Sequence, residues 1–176
     1  LKDAGFDVIG KKISLAGAGG AATAICIQAA LDGVKEISIF NKRDKFYEKA
    51  QETVKIINEK TTCIANLFDI DDKDKLKAEI NESAIFINAT GIGMKPYEGQ
   101  TFIEKDMLRP ELIVSDIIYE PEKTKLLEIA EEVGCPTING IGMMIFQGAE
   151  SFKCWTGKDM NIENIKNIIN KKANDK

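Results

Sequence analysis

At 176 residues, 44% of them hydrophobic, the chain is long enough for one domain with a sizeable core and marginal for two. A net charge of −4 without a basic block argues against nucleic acid or a membrane surface as the main partner. No apolar run approaches the roughly 18 residues of a membrane span, residues 1–12 lack the layout of a signal peptide, and the expected location is the cytoplasm.

In chain order, a short apolar strand is expected at 12–16, then a glycine turn and a helix of small apolar residues over 21–31. A second strand at 36–40 precedes a helix over 45–58 with Phe46, Ala50, Val54 and Ile57 on one face. A strand at 62–67, a short charged helix at 74–81 and a strand at 84–88 follow. A strand at 112–116 leads to a helix over 121–133, with Pro121 in its first turn and Gly134 at its end. A last strand at 137–138 precedes a helix over 143–154, in which Met143, Met144, Ile145 and Phe146 are expected mostly in the core. Ile162, Ile165, Ile168 and Ile169 stripe a closing helix over 162–171, and the Lys-rich tail after Asn170 is expected to fray. Six strands alternating with helices predict an α/β fold, a doubly wound parallel sheet of the Rossmann type in two halves of three strands. No repeat or linker interrupts it, so residues 1–176 are expected to form one domain.

The turn "GAGGAA" satisfies G-x-G-x-x-G/A through Gly17, Gly19 and Ala22. Gly17 permits a tight turn, Gly19 lets a pyrophosphate approach the backbone, and Ala22 lets helix and sheet pack closely. The helix N-terminus then offers free N–H groups and partial positive charge to phosphate. Rossmann sites usually end their second strand in Asp or Glu beside the adenosine ribose. Here Asn41, Lys42, Arg43 and Asp44 follow. The two cations suit a 2′-phosphate and Asp44 suits a free 2′-hydroxyl, which leaves NAD and NADP both open.

Ligands of such sheets lie beyond the carboxyl ends of the strands. The fourth strand runs into "NATGIGMKP", with Asn88, Thr90, Gly93 and Met94. The fifth ends in Ser115-Asp116, ahead of Tyr119. The last segment carries Asn139, Gly140, Gly142, Met143 and Gln147. Its glycines allow backbone to approach a flat ring, Met143 could pack on a nicotinamide, and Gln147 could reach a substrate hydroxyl. Each also has a plain role: core packing for Met143, helix capping for Asp116, turn chemistry for Asn139.

Four cysteines, Cys26, Cys63, Cys135 and Cys154, lie far apart without a C-x-x-C, as buried, reduced thiols would. The chain has no histidine. Ser-His-Asp triads, Cys-His pairs and His-based zinc sites are excluded, no metal is expected, and no catalytic acid or base is assigned within the chain. Lys95, after the fourth strand, is the nearest lysine.

The stretches "GKKISLAGAGGAATAI", "NATGIGMKP" and "DIIYEPEKTKLLEIAEEVGCPTINGIGMMIFQGAESFKCWTG" occur in the order of the cofactor-binding domain of the shikimate dehydrogenase family, which the chain resembles over 1–172. "FNKRDKFYEKA" is most similar to the quinate/shikimate dehydrogenase branch, whose members use either NAD or NADP. The resemblance implies NAD(P)-dependent hydride transfer between 3-dehydroshikimate and shikimate, or between 3-dehydroquinate and quinate. It implies that Gly17, Ala18, Gly19, Gly20 and Ala21 hold the pyrophosphate, and that Asn41, Lys42, Arg43 and Asp44 hold the adenosine ribose or its phosphate. Thr90, Gly93, Met94 and Asp116 then belong to the cofactor path, Gly140 and Met143 flank the nicotinamide, and Tyr119 and Gln147 face the substrate. Such enzymes begin with a smaller domain that binds most of the substrate and carries a Lys–Asp pair for proton transfer. Nothing here matches it, so the expectation is a fragment that is inactive alone, with Ile165 or Ile168 exposed where that domain would sit. The alternative is a non-catalytic NAD(P)-binding regulatory or scaffold module.

Overall fold

The computed structural model describes residues 4–174, and side chains as far as Ile169. The opening residues 1–3 and the last two, 175–176, lie outside the described residues. Six parallel strands form one sheet in the order β3-β2-β1-β4-β5-β6. They are β1 (Lys12–Ala16), β2 (Glu36–Asn41), β3 (Ile64–Asp69), β4 (Ile85–Asn88), β5 (Ile113–Asp116) and β6 (Thr137–Ile138). The helices are α1 (Gly20–Leu31), α2 (Tyr47–Lys60), α3 (Lys73–Glu82), α4 (Lys125–Val133), α5 (Ile141–Thr156) and α6 (Ile162–Asn174), with a 3-10 turn at Lys105–Met107. The chain winds outward from β1 to β3, crosses back, and winds outward again from β4. The switch point therefore lies between β1 and β4, as the two-halves reading predicts.

Alternation along each strand sorts the core. Ile13 and Leu15 of β1, Ile37 and Ile39 of β2, and Ile85 and Ile87 of β4 pack with Ala22, Cys26 and Ala30 of α1 and Ile57 of α2. Ala16, Phe40, Phe86 and Val114 point the other way, onto Leu76 and Ile80 of α3 and Leu126, Leu127 and Ala130 of α4. On α1 the buried residues recur every fourth position and are small, so the helix lies close to the sheet. Burial pushes the Cys26 thiol up to about 12 and raises Cys63 and Cys135 as well, so these three stay protonated. The guanidinium of Arg109 donates to the carbonyls of Ile80 (2.9 Å) and Ser83 (2.5 Å). It thus satisfies the end of α3 with a cation.

Four expectations need correction. Pro121 is not in the first turn of α4: Glu120–Pro121 is cis, and the helix starts four residues on. The N-cap is Thr124, whose hydroxyl accepts from Leu127 N, a bond Pro121 could not supply. On α2, Phe46 precedes the helix and is exposed; Thr53 takes a buried position with Ala50 and Ile57. On α5 only Ile145 is buried: Met143 and Phe146 are half-buried and Met144 is exposed, because the helix packs chiefly on α6 and not on the sheet. The same placement exposes Cys154, which the buried-thiol expectation missed. Gly134 ends α4 as expected, in the left-handed conformation with φ 93°. The closing helix runs to Asn174, past the expected fraying point, with Ile165 half-buried and Ile168 exposed. Among the described residues no helix is long and apolar enough to cross a membrane, and no group of His, Cys, Asp or Glu is arranged to hold a metal.

Candidate functional site

The carboxyl edge of the sheet gathers nearly every predicted residue. At the end of β1, Gly17 has φ 117°, and an added Cβ would lie 2.5 Å from the Ala89 carbonyl oxygen. Glycine is required there twice over, by conformation and by the approach of the β4 end. Gly19 and Gly20 differ: space is open where their side chains would be. Gly19 precedes α1 without a side-chain cap, and no acidic residue lies in the first turn. The leading N–H groups of α1 and its positive end are therefore left for an anion. Ala18 is buried, Gly19 half-buried, and Gly20 and Ala21 are exposed.

At the end of β2, Asn41 is buried and donates to the Lys42 carbonyl (2.7 Å) and to Asp44 Oδ1 (3.1 Å). Asp44 Oδ1 also accepts from Phe46 N (2.9 Å), so this carboxylate shapes the entry to α2. Lys42 is exposed. Arg43 reaches across to Asp69 Oδ2 (3.2 Å), with its guanidinium 5.5 Å from the Tyr47 ring centroid.

The third part of the site is a hydrogen-bonded knot. Asp116, at the end of β5, is fully buried. Its carboxylate accepts from Asn88 Nδ2 (3.1 Å), Ile118 N (3.1 Å) and Thr124 Oγ1 (2.7 Å). Asn88 Oδ1 in turn accepts from Thr90 N (3.1 Å) and Thr90 Oγ1 (2.7 Å), and Asn88 Nδ2 also donates to the Ile92 carbonyl. Burial raises the Asp116 pKa; the Thr124, Ile118 and Asn88 bonds pull the other way and only partly offset it. With no exposed surface, Asp116 acts on a ligand only through the loops it ties together.

Ile118 is the meeting point of those loops. Its carbonyl accepts from Gly140 N (2.9 Å), and a Cβ on Gly93 would touch its Cδ1 at 3.2 Å. A Cβ on Gly140 would fall 2.0 Å from the Ile117 carbonyl oxygen. Gly140 is therefore demanded by chain packing, whatever lies beside its backbone. Open space surrounds the Cα of Gly142 instead. Gly93 is buried and Thr90 and Met143 are half-buried, while Met94, Tyr119 and Gln147 are exposed around the knot. Asn139 has turn chemistry: its Oδ1 accepts from Ile141 N at 3.3 Å. Lys95 is exposed on the same loop as Met94. Residue-by-residue reading missed Ile118, Thr124 and Asp69. The first looks like any core isoleucine and the second like a loop threonine. Asp69 was hidden in the acidic run "FDIDD".

Residues 140–169 match the family model described as Shikimate 5'-dehydrogenase C-terminal domain. Shikimate dehydrogenase (NADP(+)) of Listeria monocytogenes is 65% identical over 170 residues, which cover 96% of this chain and 58% of that protein. The Streptococcus uberis enzyme of the same name is 47% identical over 171 residues, again 96% of this chain and 58% of that protein. The crystal structure of shikimate 5-dehydrogenase from Listeria monocytogenes in complex with shikimate and NAD superposes with a TM-score of 0.92 at 64% identity, over 96% of this chain and 58% of that one. The chain thus spans 58% of the length of these relatives. Over nearly all its residues, then, the chain is similar to a 58% share of shikimate dehydrogenases.

Proposed function

We propose that this chain is the dinucleotide-binding domain of an NAD(P)-dependent shikimate dehydrogenase. The observation that carries the reading is the contrast between Gly17, crowded by Ala89, and Gly19 and Gly20, open beside the uncapped start of α1. A turn that only connected strand to helix would have no use for the second feature. Gly19, Gly20 and Ala21 would hold the pyrophosphate through their N–H groups. Asn41, Lys42, Arg43 and Asp44 would hold the adenosine ribose. Thr90, Gly93 and Met94 would line the path to the nicotinamide end, and Gly140 and Met143 would flank it.

When bound, the nicotinamide gives or takes a hydride. The chain's own residues orient and enclose. Asp116 fixes the β4 and β5 ends through Asn88, Ile118 and Thr124. Tyr119 and Gln147 would face the substrate from the two sides of that knot. The substrate proposed is shikimate, oxidised to 3-dehydroshikimate, ahead of quinate, because the relatives at 65% and 47% identity are named for shikimate. Reduction of the ketone needs a proton donor to the forming alkoxide. With no histidine in the chain, that donor and most substrate contacts are proposed to lie in the part of the relatives this chain does not span.

Titration with NAD and NADP tests the binding half: the chain binds at least one, and Gly17→Ala abolishes binding. Activity tests the rest. The chain alone releases no NAD(P)H from shikimate, and joined to the remaining part of the Listeria monocytogenes relative it does. Failure to bind either cofactor overturns the reading. Binding without turnover in the joined protein, on shikimate and quinate alike, favours the non-catalytic module.

A further inference from the structure

We propose that Asp69 is a specificity-determining residue at the ribose end of this site: it competes for Arg43 and keeps the chain from favouring NADP over NAD. The inference rests on the dinucleotide reading above. In the β2–β3 register Asn41 pairs with Asp69, so the last residue of β3 stands beside the loop that follows β2. Asp69 Oδ2 lies 3.2 Å from Arg43 Nε, and the guanidinium lies over Tyr47. The carboxylate is itself held: Asp69 Oδ1 accepts from Asp71 N at 3.1 Å. Its side chain is 30% exposed against 72% for Arg43, so the fixed partner is the acid and the movable one the base.

The loop after β2 carries Lys42, Arg43 and Lys45 against Asp44, and Asp69 offsets the charge of Arg43. A phosphomonoester brings about −1.5 to −2 charges near neutral pH. A 2′-phosphate would have to share Arg43 with Asp69 or pull it away, and would then lie near an uncompensated carboxylate. A free 2′-hydroxyl brings no charge and can donate to a carboxylate. Asp69 therefore penalises one cofactor and spares the other. Asp44 differs in its partners: its Oδ1 accepts from Asn41 Nδ2 and Phe46 N within its own loop, whereas Asp69 meets the Arg43 guanidinium.

The test is cofactor titration of the whole chain as wild type, Asp69→Asn and Arg43→Ala/Asp69→Asn. Asparagine keeps an Oδ1 acceptor for Asp71 N, so the turn and the melting temperature are preserved. The expected result is NADP affinity about three- to tenfold higher in Asp69→Asn, with NAD changed by less than about twofold. The gain vanishes in the double variant and shrinks at about 1 M salt, where screening is nearly complete. Equal shifts for both cofactors, or no shift while wild type binds, would overturn the role of Asp69 and leave the site reading intact. Wild type binding neither cofactor overturns the site reading itself, and this inference with it.

Discussion

The two edges of the sheet each bury a carboxylate, and they use it differently. At the amino edge, Glu79 of α3 is 6% exposed and meets Lys12 (2.6 Å), Lys75 (2.5 Å) and the Ser38 hydroxyl (2.5 Å). Lys12 also reaches Glu36 and Glu82. At the carboxyl edge, Asp116 is fully buried and meets only neutral donors. For Glu79, burial pushes the pKa up, but the bonds from Lys12, Lys75 and Ser38 win and hold it at about 2. For Asp116, burial wins and the pKa is raised. One edge is closed by charge pairing and carries stability. The other is tied by hydrogen bonds between loops, with the carboxylate held by neutral donors.

Removing the shared cation is the harshest test. Lys12→Met leaves Glu36, Glu79 and Glu82 without their common partner, and should cost about 3 kcal/mol in chemical denaturation. Cofactor affinity should stay within about twofold, since Lys12 begins β1 and the glycine turn follows its other end. The pH dependence has a definite sign. Glu79 falls from an ordinary 4.5 to about 2 on folding, so its contribution is complete above pH 4.5 and is lost as pH falls towards 2. Asp116 works oppositely: its raised pKa makes the ionised form a cost, which protonation relieves as pH falls. The stability gap between wild type and Lys12→Met should therefore be widest above pH 4.5 and narrow as pH falls towards 2, because wild type alone loses the Lys12–Glu79 contribution there. Parallel acid-denaturation curves for the two would disprove the amino-edge account.

A smaller effect separates packing from ligand approach at the carboxyl edge. Gly140→Ala puts a methyl 2.0 Å from a backbone oxygen that cannot swing aside. It should cost about 2 kcal/mol by overpacking and shift the start of α5, weakening cofactor binding. Gly142→Ala meets nothing within 4 Å inside the same helix. It should raise stability by about 0.5–1 kcal/mol from helix propensity. If the wild type binds cofactor and Gly142→Ala alone abolishes binding, the open face of Gly142 is where the ligand lies closest.

Much of this edge is legible in the sequence alone. The six strands alternating with helices, the glycine turn and the end of α4 at Gly134 follow from apolar alternation, glycine spacing and φ preferences, which are local properties. What stayed hidden depends on neighbours distant in sequence. The crowding that requires glycine at 140 comes from Ile117, 23 positions earlier. Asp116 looked like a cofactor ligand or a cap, and only the fold shows its carboxylate spent on Asn88 and Thr124. Phe146 and Met144 looked like core because apolar spacing cannot say that α5 packs on α6 and not on the sheet.

The smallest expected effects lie in the loop whose sequence left NAD and NADP open. Arg43 is 72% exposed and shares its charge with Asp69, so Arg43→Ala should weaken NADP about three- to fivefold and leave NAD nearly unchanged. Asp44→Ala removes an acceptor from the ribose but also frees Asn41 Nδ2 and Phe46 N, so loss of NAD affinity alone would be ambiguous. Asp44→Asn separates the two, because the amide oxygen can keep both local bonds while the charge is gone. If Asp44→Asn binds NAD like wild type and Asp44→Ala does not, Asp44 serves NAD by shaping the turn. If both lose NAD affinity by the same few-fold, the charge itself meets the ribose. Unchanged affinities in all three variants would move the ribose away from this loop and leave only the glycine turn to hold the dinucleotide.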